Sequence, residues 1–358
     1  MGFAVALLAV LSIYAATTPP SAAQPFKCTT SGATCNALVG YVSPNSTTLS
    51  HIKSLFGVKN LRSLLGANNL PTSTPSSNPV AANSTIKIPF QCRCSNGSGV
   101  PSRRAPLYTV VKDDFLYHIA AEVFAGLVTD NQIQTANNIS NPNLITAGQE
   151  LWIPIPCSCD EVEGERVVHY GLVVQPGSTV EEISQGYNVS VNTLLQLNGL
   201  SSSKDLKAYT PFEVPLKACN SMVGNDSLDY PLLVANGTYV YTAANCVKCS
   251  CDASSNYTLK CQPSQVNSSL WKTCPSMQCA GTNNFYIGNI TISGCNSTSC
   301  DYAGYTNQTI LTTLSSESTC PASNGESSAV ETRLRGWSWS CLLVSVHLLV
   351  LCLQFNSI

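Results

Sequence analysis

A phrase of the form apolar-x-apolar-Pro, closed by cysteine, occurs three times: IKIPFQC at 86–92, LWIPIPC at 151–157 and FEVPLKAC at 212–219. Its cysteines, Cys92, Cys157 and Cys219, lie 65 and 62 residues apart. A fixed period of this size marks a supersecondary unit that is copied along the chain. Whatever this chain folds into must therefore be built from a unit small enough to fit between two such phrases.

The middle copy shows what that unit is. YTVV (108–111) is a short β-branched run and reads as a strand. In KDDFLYHIAAEVF, Asp113 or Asp114 can cap a helix along which Leu116, Ile119, Ala120 and Val123 recur at helical spacing. TDNQIQTANN gives a second short helix, capped by Thr129 or Asp130 and stopped at Asn137-Asn138. A loop rich in Asn and Pro follows, and ELWIPIP is the closing strand. The third copy repeats this order. YGLVV (170–174) is the strand, Ser178 and Glu181 make a capping box, Ser190 caps the second helix, and Gly199 supplies a left-handed stop. The first copy runs from about Tyr41 to Pro89; its LLGANNLP (64–71) parallels IQTANNIS (133–140) and LLQLNGLS (194–201).

The ends of the chain read as processing signals. An apolar run from Phe3 to Ala16, with small residues after it, reads as a secretory signal peptide over residues 1–23, with Gln24 as the mature start. A buried N-terminal helix is the competing reading. At the other end, Ser323, Asn324 or Gly325 offers a small-residue attachment site. A polar spacer and an apolar tail follow, the order that directs exchange for a GPI lipid. A transmembrane helix is the rival there. Arg333 and Arg335 precede the tail and nothing basic follows it, contrary to the positive-inside tendency.

Sixteen of the 18 cysteines remain once Cys341 and Cys352 go with the tail, an even number behind a secretory signal, which implies disulfides. Cys92 and Cys94, and likewise Cys157 and Cys159, stand too close in extended segments to bond each other, so their partners lie elsewhere. With Cys28 and Cys35 they make six cysteines, for which 15 pairings exist. Zinc binding by the Cys-x-Cys pairs is the alternative. Ten more cysteines between Cys219 and Cys320, among short β-favouring runs, read as a small disulfide-rich, mostly β domain with five internal bridges. Cys246-x-x-Cys249 within it could be a redox pair, but its crowding by other cysteines favours structural bonds. Asn-x-Ser/Thr sequons stand at Asn45, Asn83, Asn96, Asn138, Asn188, Asn225, Asn236, Asn256, Asn267, Asn289, Asn296 and Asn307, as in a glycosylated surface protein.

The strand-helix-helix-strand unit, with Asn-Asn or Asn-Gly after its second helix and Gly-Gln-x-Leu-x-Ile-Pro in its last strand, resembles the LysM domain. The match covers residues 41–216 and is most complete in TAGQELWIP of the middle copy; the first and third copies lack the Gly-Gln pair. Together with the Cys-x-Cys linkers and both processing signals, the chain resembles the plant LysM-domain GPI-anchored proteins. The resemblance implies an α+β fold of three small βααβ LysM modules tied by disulfides, followed by the Cys-rich β domain. The resulting map is an N-terminal Cys segment at 24–40, LysM modules at 41–91, 108–156 and 170–216, the Cys-rich domain at 219–320, a stalk with the GPI site at 321–335 and a removed tail at 336–358. The implied pairings are Cys28–Cys94, Cys35–Cys159 and Cys92–Cys157.

With charged residues at only 11% and net charge −2, the chain lacks the basic surface that nucleic acid requires. Nucleophile, metalloprotease and phosphate-loop motifs are missing, and a module of this size cannot bury a two-carboxylate glycosidase cleft. His51, His118 and His169 stand singly, as packing or surface residues. No catalytic residue, metal or cofactor is expected, and the enzyme class is set aside. LysM ligands are N-acetylglucosamine polymers, either chitin oligosaccharides or peptidoglycan. The resemblance places their site on two loops of the middle module. These are Lys112, Asp113, Asp114 and Phe115 after the first strand, and Asn141, Pro142, Asn143, Leu144 and Ile145 after the second helix. Leu144 and Ile145 are read either as a platform for acetyl methyl groups or as a cap on the core. The implied function is a GPI-anchored plasma-membrane receptor or co-receptor for chitin in plant innate immunity. It would signal through a transmembrane LysM receptor-like kinase, with homo-oligomers forming on ligand. The alternatives are a peptidoglycan co-receptor and a non-signalling wall-adhesion protein.

Overall fold

Ala37, Leu38 and Val39 are buried, so the first long strand, β2 (Thr34–Val42), starts at Thr34 rather than at the expected Tyr41. The computed structural model describes residues 25–318 and residue 320. The expected signal peptide, GPI attachment residues, stalk and tail lie outside them. In the first unit β2 leads through β3 (Thr47–Thr48), α1 (Leu49–Leu55), α2 (Leu61–Ala67) and β4 (Pro79–Val80) to β5 (Thr85–Ser95). The middle unit contains β7 (Leu107–Thr109), α3 (Leu116–His118) continuing as a π-helical turn over Ile119–Val123, α4 (Asp130–Ala136) and β8 (Glu150–Trp152). The third contains β9 (Val167–Val173), α5 (Val180–Tyr187), α6 (Val191–Leu197) and β10 (Pro211–Lys217). The two remaining short strands of this half are β1 (Lys27–Cys28) and β6 (Gly97–Pro101).

The opening strands of the first and third units meet edge to edge. β2 pairs in parallel with β9, Leu38 opposite Tyr170 and Val39 opposite Gly171, which fuses both units into one six-stranded sheet of order β1-β6-β5-β2-β9-β10. Gly40 is required at this seam, because a Cβ there would overlap the Tyr170 phenol. The middle unit keeps its own antiparallel β7–β8 pair. It joins the first unit through a chain of edge-to-face rings: Tyr41 to Phe56 at 5.0 Å, Phe56 to Phe124 at 5.6 Å, and Phe124 to Tyr108 at 6.0 Å. The third unit fills a separate core with Val168, Val180, Leu194, Phe212 and Val214.

The disulfides lace these units together. Cys28–Cys94, Cys35–Cys159 and Cys92–Cys157 have Cα separations of 5.2, 5.6 and 5.9 Å. Their sulfurs crowd into clusters of metal-site dimensions, but every one is consumed in a bridge and offers no thiolate to zinc.

The Cys-rich region comprises two three-stranded sheets. They are β11 (Thr238–Thr242), β12 (Val247–Cys251) and β13 (Lys260–Pro263), and β14 (Ile290–Ser293), β15 (Asn296–Tyr305) and β16 (Ile310–Ser318). Its bridges are Cys219–Cys251, Cys246–Cys274, Cys249–Cys261 and Cys279–Cys300; Cys295 and Cys320 are also disulfide-bonded. Cys246 and Cys249 take different partners, so the Cys-x-x-Cys spacing is structural. This region packs on the first unit. Tyr239 is buried in the core shared by the first and middle units and donates its hydroxyl to the Leu70 carbonyl at 2.7 Å. Gly66 of α2 lies directly against the Tyr239 backbone, leaving no room for a side chain. The described residues up to Glu317 accordingly form one compact unit.

Candidate functional site

The two loops predicted to hold a ligand leave the same end of the β7–β8 pair. Beyond its last ladder position, Val110 donates its N–H to Gln149 O and Gly148 donates back to Val110 O, both at 2.8 Å. Residues 111–115 and 138–149 therefore start side by side, on a base set by two short strands.

Below the first loop, Asp114 acts as a brace. Its side chain is only 2% exposed. Oδ2 accepts the Val111 N–H at 2.8 Å and the Tyr108 hydroxyl at 2.9 Å, and Oδ1 lies 3.6 Å from His118 Nε2. Burial, followed by the hydrogen bond and field of Asp114, pushes the Tyr108 phenol up to about 12. Neither Asp113 nor Asp114 caps helix α3, contrary to the sequence expectation. Asp114 is occupied by Val111, and the N-cap position falls on Phe115, which makes no side-chain cap bond. An N-cap hydroxyl or carboxylate is typically worth ~1 kcal/mol, so this helix forgoes a common stabilisation. The third unit shows a one-residue shift as well: Thr179 is the N-cap and Glu182 completes its capping box, in place of Ser178 and Glu181.

The second loop is an Asn-capped 3-10 turn over Pro142–Leu144. Asn141 Oδ1 accepts the Asn143 N–H at 3.0 Å, and Asn141 O accepts the Leu144 N–H at 3.1 Å. Leu144 is 71% exposed and caps nothing, whereas Ile145 is half-buried and packs on the core. The two readings of this apolar pair thus divide between its members. Of the nine predicted residues, the structure leaves Lys112, Asp113, Phe115, Asn141, Pro142, Asn143 and Leu144 exposed; Asp114 and Ile145 support them from below.

Two residues escaped the sequence reading. Tyr117, the second residue of α3, is 62% exposed, and its ring lies parallel to that of Phe115. No spacing rule marks it, because α3 buries only Leu116 on its short face. Asn137, read as a helix stop, also ties α4 to Trp152 of β8 by its side chain. Its signal was the Asn that recurs at Asn68 and Asn198. All twelve sequon asparagines are exposed, Asn138 among them at the edge of the second loop. His169, read as a packing residue, is buried between Glu213 and the Asp160 carbonyl.

A model of the LysM domain family matches residues 108–154 and 172–211. LysM domain-containing GPI-anchored protein 2 of Arabidopsis thaliana is 48% identical over 92% of this chain and 92% of its own length. Chitin elicitor-binding protein of Oryza sativa subsp. japonica is 41% identical over 93% of both chains. Among solved structures, the ectodomain of a receptor like kinase aligns over 52% of this chain and 94% of its own, with 22% identity and a TM-score of 0.41.

Proposed function

This chain belongs to the LysM domain-containing GPI-anchored proteins, and we propose that it is a plant cell-surface receptor or co-receptor for chitin oligosaccharides, acting in innate immunity from the outer face of the plasma membrane. The observation that carries the reading is the 41% identity, across nearly the whole of both chains, with a protein named for binding a chitin elicitor.

The middle module is the proposed site. An N-acetylglucosamine polymer needs hydrogen-bonding partners for its amides and hydroxyls, and small apolar spots for its acetyl methyls. Lys112, Asp113, Asn141 and Asn143 supply the first; Phe115, Pro142 and Leu144 supply the second. The site binds and does not cleave. The family model matches the middle and third units; the first is assigned as a third LysM module because Asn68 makes the same helix-to-strand brace as Asn137 and Asn198. The Cys-rich region, seated on α2, holds that module in place.

A protein held by a lipid in the outer leaflet cannot carry a signal inward alone. The proposed partner is a transmembrane LysM receptor-like kinase. A long chitin chain offers repeated epitopes, so it can join this protein to the kinase or to a second copy, with avidity gains of about 10²–10⁴ from effective concentration.

The test is calorimetric titration of the secreted glycoprotein with chitin oligomers of increasing length and with peptidoglycan fragments. Saturable binding of chitin, recovered uncleaved, is the expected result. Preference for peptidoglycan would reassign the ligand, and binding of neither would end the reading.

A further inference from the structure

The opening turn of the middle unit breaks local rules that its counterparts obey. In the other two units a threonine hydroxyl caps the first helix: Thr48 accepts the His51 N–H at 3.3 Å, and Thr179 accepts the Glu182 N–H at 3.1 Å. Phe115 occupies the matching position with the extended backbone of an N-cap, φ −137 and ψ 158, and no capping bond. Two residues earlier Asp113 has φ 72, where the third unit has Gly177 at φ 86. A left-handed backbone suits glycine and strains other residues. Beyond Phe115 the helix loosens into the π-helical turn Ile119–Val123, a feature frequent at functional sites.

The two rings that open this helix add little to the core. Phe115 is 53% and Tyr117 62% exposed. Their rings are parallel within 5°, with centroids 6.4 Å apart. His118, 5.8 Å from the Phe115 ring, contacts Asp114 and Glu122. A local rule broken without structural return marks a functional surface.

We propose that Phe115 and Tyr117 form an aromatic shelf that takes the C–H faces of successive N-acetylglucosamine rings, extending the middle-module site from the two loops onto the start of α3. The inference rests on the chitin-binding reading. A β-1,4-linked N-acetylglucosamine ring holds its substituents near its own plane and presents axial C–H groups above and below it. Those weakly positive hydrogens suit the negative π face of an aromatic ring, and the contact buries apolar surface on both sides. The shelf therefore contributes most to oligomers long enough to reach from the loops across both rings.

Phe115→Thr supplies the cap that the sister units have and removes one ring. Its melting temperature is expected to equal or exceed the native value, while affinity for a long chitin oligomer falls about tenfold. Tyr117→Ala should give a similar loss with an unchanged melting temperature, and Tyr117→Phe should retain affinity. The loss should be smallest for the shortest oligomer that binds. Native affinity of both Phe115→Thr and Tyr117→Ala for long chitin overturns the shelf and leaves the chitin reading standing. Loss that is equal at every chain length also overturns it. Absence of chitin binding by the native protein defeats the underlying reading instead. If Phe115→Thr fails to fold, the Tyr117 pair decides alone.

Discussion

The side chain of Asn137 closes both backbone groups of Trp152. Its Oδ1 accepts the Trp152 N–H and its Nδ2 donates to the Trp152 carbonyl, each at 2.8 Å, while Nδ2 also reaches Ile133 O at 2.8 Å. Asn68 does the same to Lys87 and Leu64, and Asn198 to Glu213 and Leu194. One amide thus replaces a missing neighbour strand and ends the second helix of each unit. Asn137→Ala should strand those backbone groups and lower stability by about 1–3 kcal/mol. Asn143→Ala, on the exposed loop, should stay within about 0.5 kcal/mol of native. Urea unfolding of the two variants measures the difference; equal stabilities would show that the brace is dispensable.

Leu144 and Ile145 should separate in their effects. Leu144→Asp changes an exposed side chain, so chitin affinity should fall with stability unchanged. Ile145→Asp places a charge against the core and should lose both stability and binding. Leu206→Asp, at the third unit's counterpart of Ile145, should reduce chitin binding less than Ile145→Asp. Titration and melting of all three variants provide the check, and a larger binding loss at Leu206 would move the main site to the third module.

The Cys35–Cys159 bridge joins residues 124 positions apart and ties β2 to the segment ahead of the third unit. Replacing both cysteines by serine, which leaves no free thiol, should cost about 2–5 kcal/mol in unfolding free energy. Denaturant titration of the double variant tests this; an unchanged midpoint would mean that the packed units hold each other without the bridge.

Membership of a GPI-anchored family predicts release from intact cells by phosphatidylinositol-specific phospholipase C. Released protein should lack the apolar tail from Trp337 to Phe355 in mass spectra. Retention on the membrane with that tail still detected would contradict the anchor.

Much of the local geometry of the candidate site was legible in the sequence. The repeated closing phrase gives the unit, the recurring Asn marks the end of each second helix, and the Asn-Pro-Asn stretch at 141–143 announces an exposed capped turn. Asp114 and Phe115 were less legible. Both Asp113 and Asp114 are good caps by residue type, and only the hydrogen bonds from Val111 and Tyr108 show why Asp114 is occupied elsewhere. Tyr117 carried no signal, since exposure of an aromatic ring depends on what does not pack above it.

The sequence by itself determined the order of strands and helices in each unit, the cap at Ser190, and the left-handed stop at Gly199. These depend on dihedral preferences and hydrogen bonds that reach only a few residues along the chain. Only the tertiary structure decided that β2 and β9 pair in parallel, that Phe56 and Phe124 join two units in one core, and that Tyr239 docks on Leu70 from 169 residues away. Each of those contacts depends on the fit of two preformed surfaces distant in sequence. Their shapes, unlike a cap or a turn, are set by many side chains at once, and no short stretch of residues encodes them.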